Sequence, residues 1–186
     1  HRIARRQRQM CIRDRYNLAF SPVAFVDNVG NAEINGLELD ATYKPNDSLT
    51  LSGYVVSNDP TLSEDYYDVS GVLQANSGNR LAYVPELSYV LGLDKVLSIF
   101  GMPGYVSVDY SYTGDRYTSQ ANELKLPSYA IANMRVGVES NNRSMEVFIS
   151  NLTDENGYLS RYDDFGDIRR TQNRPRVIGL RFKYRY

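Results

Sequence analysis

An all-β chain, folded as an antiparallel meander of about seven long strands, is the fold class this sequence predicts. Three observations carry the prediction. From residue 31 onward apolar and polar residues alternate with a period of two, and helical spacing is weak. The connections between the alternating segments are by turns short and long. Aromatic content is high for so polar a chain, with 16 Tyr and 6 Phe against no Trp, which suits a sheet with one apolar and one wet face.

The strands follow in order. The first, Ala32 to Lys44, puts Leu37, Leu39, Ala41 and Tyr43 on one face and Glu38, Asp40 and Thr42 on the other. Pro45-Asn46-Asp47-Ser48 is a turn by its residue types. The second strand, Leu49 to Ser57, sets Leu49, Leu51, Gly53 and Val55 against Thr50, Ser52 and Tyr54. A long polar loop spans Asn58 to Asn79. The third strand is expected over Leu81 to Asp94, ending in a connection that holds Gly101, Pro103 and Gly104.

The fourth strand, Tyr105 to Thr113, alternates most regularly, with Val106, Val108, Tyr110 and Tyr112 against Ser107, Asp109 and Ser111. A polar loop follows from Gly114 to Leu126. The fifth strand, Ser128 to Glu139, is joined by a tight turn at 140–143 to the sixth, Ser144 to Asn151. The longest charged loop, Leu152 to Arg174, precedes a last strand from Pro175 to the terminus.

Composition excludes several chemistries. The single Cys11 and single His1 leave no disulfide framework, no His-based metal site and no His-containing catalytic triad. The acidic pairs Glu64-Asp65 and Asp163-Asp164 lack the ordered spacing of a calcium loop. No catalytic residue, cofactor or metal is expected, and an enzyme would have to work with carboxylates alone. Three triplets match the glycosylation sequon, at Asn46, Asn142 and Asn151, and two of the three are better read as turns.

Charge is uneven along the chain. Residues 1–15 hold six Arg and one Asp, while the remainder carries 15 basic and 21 acidic side chains. Such an arm can bind nucleic acid or anionic lipid. However, RRQRQMCIRDR resembles translated sequencing-adapter sequence. Residues 1–15 are therefore expected to be a non-native arm, with no nucleic-acid partner, and residues 16–186 the folded part. The chain begins at His1 without an initiator Met or secretory signal, so either a mature protein or a fragment is expected, and the motifs below favour a fragment.

No run of 18 apolar residues could form a membrane helix. Strands of about ten alternating residues do match the length needed to cross a bilayer at a tilt, whereas the strands of a soluble sandwich typically run about 5–6 residues. Alternating short turns and long loops also fit an outer-membrane barrel, whose short turns are periplasmic. The final strand sets Ile178, Leu180, Phe182, Tyr184 and Tyr186 on one face and ends on an aromatic. It resembles the C-terminal signal read by the Gram-negative barrel-assembly machinery, and physically it is an edge strand able to pair with a template.

The ordered segments NVGNAEINGLELDATYKPNDSLTLSGY, GNRLAYVPELSYVLGL, LPSYAIANMRVGVE, VFISNLTDENGY and RPRVIGLRFKYRY look like the C-terminal third of TonB-dependent receptors. Asn31, Gly36 and Glu38 match that family's first motif, Asn79, Leu81, Tyr83 and Pro85 its second, and Asn151, Leu152 and Asp154 its third. The resemblance spans residues 28–186. It implies that this chain is part of a 22-stranded transmembrane barrel with a plugged lumen, lacking the plug and unable to close alone. It further implies a Gram-negative outer-membrane location and import of a scarce ligand, such as a ferric siderophore or haem. The TonB complex would be reached through an N-terminal region that is missing here.

On that reading Val106, Val108, Tyr110 and Tyr112 face the outer-membrane lipid. The three long loops face outward, and Tyr66, Tyr67, Arg116, Tyr117, Tyr158, Arg161 and Tyr162 are candidates for holding a metal-chelate ligand by stacking and bidentate anion contacts. A passive porin or other outer-membrane barrel and a soluble secreted β-sandwich are the alternatives. The sandwich predicts a second sheet packed over the apolar face.

Overall fold

The computed structural model describes residues 3–6, 15–18, 25–28, 30–164 and 167–185, with side chains described for 30–161 and 168–185. Seven long strands form: β1 (Ala32–Asn46), β2 (Leu49–Leu62), β3 (Leu87–Ile99), β4 (Met102–Thr113), β5 (Tyr129–Ser140), β6 (Arg143–Ser150) and β7 (Val177–Tyr184). Each pairs antiparallel with its neighbour in sequence, so the sheet is the expected meander. Ile3–Arg6 of the basic arm adds a short strand along the outer side of β1. Residues 1–2 and 7–14 of that arm lie outside the described residues, as do Tyr186 and the side chain of Tyr162. Among the described residues nothing pairs with the outer side of β7, so the sheet is open.

The turns explain where the strands stop. Between β1 and β2, the Asn46 side-chain carbonyl accepts from the Ser48 amide at 3.0 Å and the Ser48 hydroxyl at 2.8 Å, the side-chain turn that Asn favours. Between β3 and β4 only Phe100 and Gly101 intervene, both at positive φ (51° and 76°), as a two-residue hairpin turn requires. This differs from the longer connection expected around Gly101, Pro103 and Gly104. The third strand is also displaced along the chain, running from Leu87 to Ile99 rather than from Leu81 to Asp94. Residues 81–86 are not part of it, because Tyr83 sits in the left-handed region at φ 61° and Pro85 has no amide hydrogen to donate to a ladder.

Pairing register fixes the faces, because residues opposite one another project to the same side. Tyr43, Leu51, Leu93, Val108, Met134, Ile149 and Ile178 form one unbroken apolar row across all seven strands. Val106, Tyr110 and Tyr112 share that face with Leu180, Phe182 and Tyr184. Nothing covers it among the described residues, and Phe182 is 63% exposed. A two-layer sandwich would bury this surface, so that alternative fails.

The opposite face is polar and internally bonded. Asn133 donates to Asp109 at 2.6 Å, Arg135 to Ser107 at 2.9 Å, and Arg181 to Glu146 at 2.6 Å. Tyr105 donates to the other oxygen of Glu146. Two glycines let aromatic rings lie flat on this wall. A Cβ on Gly137 would meet the Tyr105 ring at 2.6 Å, and one on Gly179 would collide with the Phe148 ring.

Close packing is confined to one end of the sheet. Ala32, Leu62, Tyr66, Ala75 and Leu81 form a buried cluster with Ile34 and Val84 beside it. The other buried apolar residues, Ala82 and Leu126, lie at the same end. This is the end that carries the long connections.

Candidate functional site

The three long connections are folded rather than irregular. Each contains a short hairpin: Tyr66–Tyr67 with Leu73–Ala75, Arg116–Tyr117 with Lys125–Leu126, and Tyr158–Asp164 with Asp167–Gln172. Because the meander alternates direction, all three emerge at the same end of the sheet. The remaining connections, at 47–48, 100–101 and 141–142, lie at the opposite end.

Amide side chains lock the first connection to the second. Asn122 accepts from the Arg80 amide and donates to the Arg80 carbonyl, both at 2.8 Å, as a paired strand would. Asn79 donates to the Gln120 carbonyl at 2.8 Å, and the Gln120 side chain accepts from the Ala82 amide at 3.0 Å. The Tyr83 amide donates to the Tyr117 carbonyl at 2.8 Å.

Two consecutive residues tie all three connections together. Asp115 accepts from the Arg80 guanidinium at 3.1 Å on its carboxylate and 2.9 Å on its carbonyl, reaching the first connection. Arg116 donates to the Tyr158 and Leu159 carbonyls at 2.9 and 3.3 Å, reaching the third. Arg116 is 5% exposed and its guanidinium lies 5.5 Å from the Tyr129 ring centre. Its Nη2 makes both carbonyl bonds, whereas the buried Nη1 has no hydrogen-bond partner among the described residues, and the aromatic face of Tyr129 offsets part of the cost of burying the cation.

Asn151 organises the base of the third connection. Its amide donates to the Asn133 side chain at 2.9 Å, and its side chain bridges the Glu155 amide and carbonyl and the Arg174 carbonyl. Asp154 accepts from the Arg176 amide at 2.8 Å. Asn151 is 3% exposed with its carboxamide fully engaged, so the sequon at Asn151-Leu152-Thr153 is not a glycosylation site. Asn79, Leu81 and Tyr83 likewise build the exit of the first connection. Asn79, Asn151 and Asp154 of the second and third motifs thus build the bases of the loops.

A family model for the TonB-dependent receptor-like β-barrel matches residues 9–152. The chain belongs to the TonB-dependent receptor β-barrel family. The fold agrees with solved members. It resembles the siderophore receptor PiuA from Acinetobacter baumannii at TM-score 0.77 and 20% identity, over 99% of this chain and 26% of that one. It resembles the ferric yersiniabactin uptake receptor FyuA from Yersinia pestis at TM-score 0.74 and 17% identity, over 86% of this chain and 24% of that one. The ferric preacinetobactin receptor BauA from Acinetobacter baumannii matches at TM-score 0.67 and 17% identity, over 98% of this chain and 26% of that one. This chain thus spans about a quarter of the length of these receptors. TonB-dependent receptors are Gram-negative outer-membrane proteins that act in transport and are not enzymes.

In this receptor barrel the sequence-selected loop residues separate into two groups. Tyr66 and Arg116 are buried and build the loop assembly. Tyr67 is 51% exposed, and Tyr117, Tyr158 and Arg161 are partly exposed. Tyr117 has Arg80 at 5.4 Å and Lys125 at 5.9 Å from its ring centre, and Tyr158 has Arg170 at 5.4 Å. Arg80, Asn122, Gln120 and Asn173 were invisible as organisers from the sequence, since their partners lie 16 to 42 residues away.

The Asp115 clip carries a pH signature. Its hydrogen bond from Lys125, and then that from Arg80, hold the carboxyl below its ordinary value of 3.8. A depressed carboxyl contributes its full stabilisation above the ordinary value and loses it as pH falls through the folded one. Lys125 is raised above 10.5, first by the same hydrogen bond, and its share is lost only on strong alkalinisation. Amide exchange in residues 79–86 is therefore expected to be flat through neutral pH and to rise, relative to intrinsic rates, once pH drops below 3.8. Asp115→Asn should show the faster exchange at neutral pH already, by about fivefold for a half-exposed pair worth about 1 kcal/mol.

Proposed function

We propose that this chain is the C-terminal part of a receptor that binds a metal chelate, of the ferric-siderophore or haem class, outside the cell and imports it with energy passed on by the TonB complex. The observation that carries this reading is the gathering of three hairpins at one end of the sheet by Asp115 and Arg116. They present Tyr67, Tyr117, Tyr158 and Arg161, with Tyr162 on the same hairpin as Tyr158. Phenol rings and guanidinium groups suit a planar or catecholate anion wrapped around a metal. The names of the matched receptors, which concern ferric siderophores, support the same ligand class.

The reading extends to the rest of the chain. Val106, Val108, Tyr110 and Tyr112 face acyl chains, and Ile178, Leu180, Phe182, Tyr184 and Tyr186 form the strand that the barrel-assembly machinery reads. TonB is contacted through a segment outside this chain. An iron-starved Gram-negative host expressing the full-length receptor tests the function. Uptake of a radiolabelled ferric siderophore or haem should require both the receptor and TonB. A Tyr67→Ala/Tyr158→Ala variant should bind about tenfold more weakly, from about 0.5–1.5 kcal/mol per ring, with its barrel intact. Failure to bind any ferric chelate or haem refutes the ligand class.

A further inference from the structure

At its long-connection end the polar face is interrupted by apolar side chains. Ile131 on β5, Phe148 on β6 and Val177 at the start of β7 share that face by register, and Pro175 lies just before β7. Together with Ser150 and Arg174 they line one recess of about 390 Å³ at the foot of the third connection. Val177 is 43% exposed there. The Phe148 ring, which lies over Gly179, gives the recess an aromatic wall.

The frame of this recess is preformed. Asn133, Asn151 and Asn173 border it, and each has both ends of its carboxamide engaged. Asn133 donates to Asp109 and accepts from the Asn151 amide. The Asn151 and Asn173 side chains both donate to the Glu155 and Arg174 carbonyls. They accept from the Glu155 and Gly157 amides respectively. The three carboxamides therefore hold the walls and fix the backbone of Arg174. The polar groups left to meet a solute are the Ser150 hydroxyl and the Arg174 guanidinium. Arg174 is exposed and is the one charged residue bordering the recess, and no carboxylate pairs with it among the described residues.

We propose that this recess binds an aromatic, anionic part of the chelate, a ring bearing a carboxylate or an ionised phenol oxygen. The ring lies against Phe148, Pro175 and Val177, the anion meets the Arg174 guanidinium, and a neighbouring ring oxygen reaches Ser150. A concave, largely apolar recess with a few polar groups to fix orientation is the usual form of a small-molecule site. It lies at the foot of the hairpin that carries Tyr158, Arg161 and Tyr162, so a ligand moving inward past that hairpin meets it next. The proposal rests on the reading that the polar face lines the barrel interior and that a chelate enters from the long-connection end.

The test uses the full-length receptor carrying this segment, folded in neutral detergent, with saturation-transfer NMR of free salicylate and, as the non-aromatic acid, cyclohexanecarboxylate. Salicylate is expected to bind the more tightly. Arg174→Gln should weaken both acids about tenfold, the loss of one charge-assisted hydrogen bond. Phe148→Leu should remove the preference for the aromatic acid, and Val177→Trp, which fills the recess, should abolish binding of both. Variants are compared only as folded barrels by their gel mobility before and after boiling. Equal affinity for the two acids, or an affinity left unchanged by Arg174→Gln or by Val177→Trp, overturns the site. A receptor that imports a ferric chelate yet binds neither acid refutes this proposal alone. One that binds salicylate through Arg174 but takes up no ferric chelate or haem keeps the site and refutes the function proposed above.

Discussion

Val108→Arg is expected to cost about 2–4 kcal/mol of barrel stability, the penalty for a cation near the bilayer midplane on a lipid-facing strand. On the proposed reading that the apolar face meets lipid, Val108, midway along β4 (Met102–Thr113), is too far from either rim for a guanidinium to reach headgroups easily. The control is Thr42→Arg. Thr42 is exposed and pairs with Ser52 on the polar face, so arginine there should change stability by no more than about 0.5 kcal/mol. Refolding the full-length receptor into vesicles across a urea series, read by resistance to unfolding on gels, measures both. Equal costs would mean that the two faces have been assigned to the wrong environments.

Arg116→Ala should loosen the outer loops without opening the barrel. The substitution removes two charge-assisted hydrogen bonds to the Tyr158 and Leu159 carbonyls and empties a site that is 5% exposed. Stranded carbonyls and a buried void together cost about 2–4 kcal/mol. The loss falls on the hairpin at 158–172, which these two bonds tether to the second connection. Protease cleavage within 158–172 should rise by more than tenfold, with cleavage of 63–86 unchanged. Arg116→Lys should rescue little, because the shorter lysine has no planar guanidinium to lay against Tyr129 while its nitrogen reaches the Tyr158 and Leu159 carbonyls. If the hairpin keeps its protection, the loops are held by something other than this residue.

The sheet was legible from the sequence because its period is two and its faces differ in polarity. Val106, Val108, Tyr110 and Tyr112 fell on one side by counting alone, and the register of β3, β4 and β5 agrees. Errors came where a local dihedral overrode the pattern. Leu81 to Glu86 is an apolar run that could begin a strand, yet the left-handed Tyr83 makes it the base of a connection. The loop residues were legible only as composition. Arg116 and Tyr66 carry the same chemistry on paper as Arg161 and Tyr67, and burial alone distinguishes framework from surface. Burial there depends on Asn79, Gln120 and Asn122 meeting across about 40 residues of chain, which no local signal encodes.

Asp115 and Arg116 share one planar peptide, whose carbonyl accepts from Arg80. A load placed on the hairpin at 158–172 passes through Arg116 into the peptide it shares with Asp115, and from there to Arg80 and the strand exit at 79–86. Docking at one lip of the mouth is thereby felt at the other through a single rigid peptide unit, and tension on any one lip is divided among three.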